Sequence, residues 1–144
     1  MNKYLTEGAI SPKIITEAIK KQSDPNNTGG HSVFLGQVRA DKIDNKTVAG
    51  IVYTAYEEMV ATEIVKIENH IKEKYNDVKE IFIKHSVGMV EAGEISLLVL
   101  ISGGHRIQAR EANAETVDLI KKNVPVWKKE TFKDGTYEWR ENHI

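Results

Sequence analysis

Hydrophobic positions recur along this chain at helical and strand spacings in turn, and the changeover points outline its elements. Ser11-Pro12 opens a helix, with Ser as the N-cap and Pro at the first helical position, where no backbone hydrogen bond is lost. Ile14, Ile15, Ala18 and Ile19 share one face of it, and the turn formers from Ser23 to Gly30 end it near Gln22. His31 to Val38 and Val48 to Tyr56 read as strands, with a polar, mobile hairpin loop from Ala40 to Lys46 between them. Val60, Ile64, Ile67 and Ile71 then mark one face of a helix from Glu57 to Tyr75, whose Glu57-Glu58 start suits the positive end of the helix dipole. Val78 to Val87 and Glu94 to Ser102 are strands joined through Glu91-Ala92-Gly93-Glu94. The run Leu97-Leu98-Val99-Leu100-Ile101 is apolar on both faces, which predicts a central strand covered on both sides. Gly103-Gly104 leads into a helix from His105 to about Lys122, and Pro125 stops its continuation. Val126 to Phe132 and Thr136 to Arg140 form a hairpin turned at Lys133-Asp134-Gly135.

Helix, two strands, helix, two strands, helix and hairpin predict an α+β fold, with helices packed on a mostly antiparallel sheet. A ferredoxin-like variant shares much of this order. No repeat, linker or low-complexity segment divides the chain, so residues 1–144 read as a single domain.

Composition removes several function classes. The absence of cysteine excludes disulfides, thiolate metal sites and a cysteine nucleophile, so any sulfur this protein handles arrives on another molecule. A net charge of −1 gives no global attraction to nucleic acid or anionic membrane. No apolar run is long enough to span a bilayer, and Met1 to Glu7 lacks the apolar stretch of a signal peptide; the expectation is a soluble, cytoplasmic protein. His31, His70, His85, His105 and His143 show no metal-ligand spacing, and His85, within a strand, reads as a hydrogen-bonded structural histidine. Trp127 and Trp139 read as packing residues.

Three segments carry candidate chemistry. Ser102-Gly103-Gly104-His105-Arg106 ends a buried strand and opens a helix, where free N–H groups and an Arg fork favour an anion. Lys121 and Lys128 flank Pro125; if both face one cleft, two ammonium groups lower each other's pKa toward neutrality. The stretch from Gly103 to Lys129 carries six cations against three acids. In Phe34-Leu35-Gly36-Gln37-Val38-Arg39, the glycine inside a strand marks a bulge or a close backbone approach, and Arg39 offers a further anion contact. Taken singly, an ordinary strand-to-helix turn, dipole-complementing lysines and a solvated strand-end arginine account for all three.

Their order is more specific. Phe34-x-Gly36-x-Val38-Arg39 is followed by Tyr53-Thr54-Ala55-Tyr56-Glu57-Glu58-Met59 and His85-x-x-Gly88-x-x-x-x-Gly93-Glu94. Gly104-His105-Arg106 and Lys121-x-x-x-Pro125-Val126-Trp127-Lys128-Lys129-Glu130 complete the series. Over about residues 3 to 140 it resembles the large, catalytic subunit of molybdopterin synthase. The resemblance implies an α/β hammerhead-type fold with a small antiparallel β subdomain, and a sulfurtransferase. That enzyme moves two sulfurs from the thiocarboxylated Gly-Gly C-terminus of a small ubiquitin-like subunit to cyclic pyranopterin monophosphate, making the molybdopterin dithiolene. It implies no resident cofactor or metal, and a homodimer of large subunits with a small subunit at each outer end. Matched residue by residue, Gln37, Val38 and Arg39 form a first substrate-contact segment. His105 and Arg106 form a second, reaching the site across the dimer interface, and Lys121, Lys128, Lys129 and Glu130 supply the rest. Lys121 and Lys128 take the acid/base or electrostatic work, and Arg39, His105 and Arg106 chiefly bind.

Two positions depart from the pattern: Arg110 replaces a common aromatic, and Asn123 stands where some members carry a base, leaving a phosphate contact absent or taken over by Lys122. A pterin- or nucleotide-binding module that kept the fold and lost the chemistry is the alternative, which intact Lys121 and Lys128 disfavour. A nucleic-acid-binding use of the Lys/Trp segment is disfavoured by the charge balance.

Overall fold

In the computed structural model, which describes residues 1–140, the strands are β1 (Leu5–Glu7), β2 (Gly30–Gln37), β3 (Lys42–Ile43), β4 (Lys46–Ala55), β5 (Val78–Glu91), β6 (Ile95–Gly103), β7 (Val126–Phe132) and β8 (Tyr137–Arg140). The helices are α1 (Lys13–Lys20), α2 (Glu57–Lys74) and α3 (Arg106–Asn123). His143 lies outside the described residues. The sheet runs β2-β6-β5-β4-β7-β8 with antiparallel neighbours throughout; β1 adds parallel to β5, and β3 pairs with β4. The long strands and helices follow β-β-α-β-β-α rather than the β-α-β-β-α-β of a ferredoxin-like fold.

One strand belongs to two sheets. The first half of β5 pairs with β6, from Val78 opposite Gly103 to His85 opposite Leu97. Its last residues, Gly88 to Glu91, pair instead with Tyr53 to Gly50 of β4, which continues into β7 and β8. Gly88, at φ +81°, sits where the strand changes partners, and the Glu7 carboxylate occupies the space a side chain there would need. The prediction ended this strand at Val87; the glycine redirects it rather than stopping it. β4, β7 and β8 with the end of β5 form the small antiparallel subdomain.

β6 is buried from Ser96 to Gly103, as its apolar run predicts. Leu97, Val99 and Ile101 join Val60, Ile64, Ile67 and Ile71 of α2 and Ala112 and Ile120 of α3 in the core. Leu98 and Leu100 are buried on the opposite face. The segment carrying α1 is tied to the sheet at both ends, Ile10 N donating to Ile95 O and Ser23 Oγ to Glu80. Ile14, Ile15, Ala18 and Ile19 of α1 are each half-buried. Among the described residues no helix is long and apolar enough to cross a membrane.

Several expectations shift. Pro12, not Ser11, occupies the cap position of α1, although Ser11 Oγ still accepts from Lys13 N, and the helix ends at Lys20. The segment expected to be only loop between β2 and β4 contains a tight two-stranded turn: Lys42 and Ile43 pair with Thr47 and Lys46 across Asp44 and Asn45, both at positive φ. Asp and Asn tolerate that conformation, which two-residue hairpins require. β1 was not predicted; buried Leu5 within it and buried Tyr4 just before it are too short a run to show a period.

α3 is fixed to the sheet by a buried polar residue. Asn113 Nδ2 donates to Ser32 O of β2 at 2.7 Å and to Val99 O of β6 at 3.1 Å. Asn113→Ala leaves both carbonyls without that donor and is expected to cost about 1–3 kcal/mol of stability in urea denaturation. A wild-type midpoint would show that the bracket contributes nothing.

Candidate functional site

The chain reverses from β2 into the β3 turn beside the C-terminal end of α3, and a cleft of about 360 Å³ opens there between the two sheets. Gly36 lies at a register shift in β2, meeting the expectation of a bulge, and a side chain on it would press on Leu97. The shift carries Gln37, Val38 and Arg39 along one wall. Arg39 is largely exposed and pairs with Asp41 at 3.2 Å. Lys121, from the last turn of α3, and Lys128 and Glu130, from alternate positions of β7, line the same cleft. Strand alternation turns Lys129 to the other face of β7, where its Nζ lies 4.8 Å from the Tyr137 ring centre and 5.6 Å from that of Trp139.

Both cleft lysines have depressed pKa values. For Lys121 burial is the larger cause and the charge of Lys128 the smaller. For Lys128 burial again leads; Glu130 opposes the shift and Arg39 adds to it. The anticipated lowering therefore occurs, but desolvation rather than mutual repulsion dominates it. Glu130 is held in turn by Arg140 of β8.

The floor holds residues the sequence did not single out for the site. Tyr53 is buried, donates to Ser96 Oγ at 2.9 Å, and meets the His85 ring edge-on at 5.1 Å. Tyr53 is opposite Lys128 across β4 and β7, so its phenol belongs to the same face as the amine. Its signal in sequence was alternation with Ile51 within the β4 strand. His85 is buried, its Nδ1 2.7 Å from Ser86 O, as a structural histidine should be. Burial, with the nearby charges of Lys121 and Lys128, pushes its pKa down to about 4.

His105 and Arg106 lie elsewhere. They start α3, and at 1.5 Å per residue Lys121 is roughly 22 Å along the axis from Arg106. His105 is exposed beside Asp77, Thr28 and Gly29. Arg110 and Lys122 are exposed on α3, and Asn123 Nδ2 donates to Leu119 O; none of the three lines the cleft.

Trp127 and Trp139 do not pack in the core. They are 43% and 58% exposed, because among the described residues no helix covers the outer face of the β7–β8 hairpin. Trp127 meets Tyr56 edge-to-face at 5.3 Å, and with Trp139 they wall a slot on the side of β4 and β7 away from Lys128.

The geometry defines an α+β protein with a cationic cleft at the junction of its sheets, and comparison with known proteins gives the class. The family described as MoaE protein matches residues 5–123, and the chain belongs to that family. Among curated relatives, the molybdopterin synthase catalytic subunit of Aspergillus fumigatus is 36% identical over 138 residues, covering 96% of this chain and 70% of the relative. That of Pyrococcus abyssi is 40% identical over 123 residues, covering 85% and 81%. Among solved structures, molybdopterin synthase from Staphylococcus aureus superposes with a TM-score of 0.84 at 27% identity, covering 97% of this chain and 98% of that one. A complex of subunits 1 and 2 of molybdopterin-converting factor from Helicobacter pylori gives 0.78 at 26% identity, covering 95% and 88%.

His85 makes folding stability depend on pH. Folded His85 stays neutral down to about pH 4, whereas in the unfolded chain it takes its proton near 6.5. Unfolding therefore absorbs a proton between those values, and stability rises with pH across that window. The urea midpoint is expected to fall as pH drops from 6.5 toward 4, with a shallower slope in His85→Leu. Equal slopes would rule out His85 as the group responsible.

Proposed function

We propose that this chain is the catalytic subunit of a molybdopterin synthase, transferring sulfur from the thiocarboxylated C-terminus of a small ubiquitin-like subunit to cyclic pyranopterin monophosphate. The observation that carries the reading is the meeting of Lys121 and Lys128, both with depressed pKa, in one cleft with Arg39 at its rim. A pure binding module has no use for two desolvated amines, whereas transfer from an acyl carbon does. In each round the thiocarboxylate sulfur bonds to a substrate carbon and displaces an oxygen from it. In one round this is the ring-closing phosphate oxygen, whose carbon–oxygen bond breaks as the cyclic phosphate opens; in the other it is an oxygen that leaves as water. Water then cuts the acyl–sulfur bond, leaving a thiolate on the pterin and a carboxylate on the small subunit. Negative charge develops at the acyl oxygen and at the opening phosphate ester, and ammonium groups held there lower its cost. A lysine with a depressed pKa also gives up its proton more readily than one in water.

The same reading makes the site shared by two chains. β2 is an edge strand that exposes Val33, Phe34 and Leu35 in succession, an apolar edge suited to pairing with another chain. A two-fold axis beside it would run two copies of β2 antiparallel, with Gly30 of one near Gln37 of the other. Gly29 and Gly30 pack against Gly104 and Arg106. His105 and Arg106 of one copy would thus arrive beside Gln37, Val38 and Arg39 of the other and add a phosphate-binding helix start. The small subunit would rest on the aromatic outer face of the C-terminal hairpin while its Gly-Gly tail enters the cleft.

Reconstitution tests the chemistry. Purified chain, cyclic pyranopterin monophosphate and thiocarboxylated small subunit are expected to give dithiolene product by mass spectrometry, and Lys121→Ala to abolish it. Substrate binding without product would move the protein to the binding-module reading. Ending the chain after Lys133 removes Tyr137, Trp139 and Arg140; calorimetry with the small subunit is expected to show at least tenfold weaker binding. Unchanged affinity would remove the hairpin from the docking surface.

A further inference from the structure

We propose that Asp77 is a positioning residue for His105, fixing the imidazole that one copy of the chain presents to the substrate bound in the other. The inference rests on the two-chain site proposed above. Asp77 lies in the loop between α2 and β5, and its grip on the start of α3 is reciprocal. Its carbonyl accepts from Gly104 N at 3.0 Å, and its Oδ2 accepts from His105 N at 2.7 Å. Its own N–H donates to Gln108 Oε1 at 2.9 Å, in the first turn of the helix. The same Oδ2 lies 3.2 Å from His105 Nδ1.

The arrangement frees the cap position for an imidazole. His105 occupies the N-cap of α3 and makes no side-chain cap bond itself. Helix N-caps are ordinarily Ser, Thr, Asp or Asn, which supply an acceptor from their own side chain. Here an acceptor comes from outside the helix, so position 105 carries a ring instead. That ring is 87% exposed, while the Asp77 side chain is only 24% exposed. A hydrogen bond from Nδ1–H to the carboxylate selects one tautomer and leaves Nε2 as the outward-facing nitrogen. Gly104 is part of the device, because a side chain there would collide with the Asp77 carboxylate.

Mixed dimers provide the test. A chain carrying Asp77→Ala and a chain carrying Lys121→Ala are given different tags, and the mixed dimer is isolated and assayed with small subunit and substrate. One of its sites then has an intact Lys121 and receives His105 from the chain whose Asp77 is intact. Its kcat/KM is expected to be half that of the wild-type dimer. The Asp77→Ala homodimer is expected to show at least a tenfold higher KM with kcat within threefold. Asp77→Asn keeps an acceptor oxygen and is expected to stay within threefold in KM. Gly104→Ala, which displaces the carboxylate without removing it, should repeat the Asp77→Ala pattern and serves if that chain fails to fold. A mixed dimer of His105→Ala with Lys121→Ala is the reference. If it recovers half the activity and the Asp77 and Gly104 mixed dimers do not, the role of Asp77 is overturned and the shared site stands. If the reference also fails to recover, the shared site falls and the proposal with it.

Discussion

The change of partner along β5 is the constraint on which the rest of the molecule depends. A strand paired along its whole length to β6 and β4 would give one continuous sheet, with no cleft at a junction. Gly88 takes a positive φ that L side chains rarely adopt, and the Glu7 carboxylate fills the space beside it. Past that point β5 follows β4, and the β4–β7–β8 ribbon turns away from the sheet carrying β2 and β6. Tyr53 sits opposite both Gly88 and Lys128, so the bend and the amine share one rung of the ladder.

That junction explains the electrostatics. A lysine alone in water gains nothing from a depressed pKa, and a lysine fully inside a core would lose its charge altogether. Lys121 and Lys128 fall between these limits, because each springs from a rigid element at the cleft wall and is only partly desolvated. Glu130 limits the fall at Lys128, and Arg140 holds Glu130. Beneath them His85 cannot add a charge until about pH 4, so the floor stays neutral while the walls carry the cations. The folded chain brings like charges together without a full set of acids, which suits a pocket whose ligand is an anion.

Much of this was legible in the chain because the elements are long and their periods clean. Val60 to Ile71 gave α2, the unbroken apolar run gave β6, and Asp134-Gly135 gave the last hairpin. Gly36 announced the irregularity that turns Gln37 to Arg39 toward the cleft. Other features have no local signature. A three-residue parallel strand such as β1 has too few positions for a period. Gly88 looks like a stop, and only the partners on either side make it a bend. Lys128 and Lys129 are adjacent and chemically alike, and strand direction alone decides which one faces the cleft. Trp127 and Trp139 read as packing residues because large aromatics usually pack, yet burial depends on whether a second layer exists above them, and among the described residues none lies over β7 and β8.

The length of α3 bears on how such a site can be assembled at all. A helix this long holds its two ends apart rigidly, so no side-chain motion brings His105 and Arg106 to Lys121 within one chain. Both ends nonetheless lie beside β2: Gly29 and Gly30 touch the start of the helix, while Gln37 to Arg39 and Lys121 share a cleft at its finish. Asn113, midway, ties α3 to β2 and β6 and keeps that spacing fixed. The separation along the helix therefore matches the separation along the strand, and an antiparallel copy of the same edge reverses it. In the proposed dimer, the rigidity that keeps each chain's two cationic segments apart is what sets one of them against the complementary segment of its neighbour.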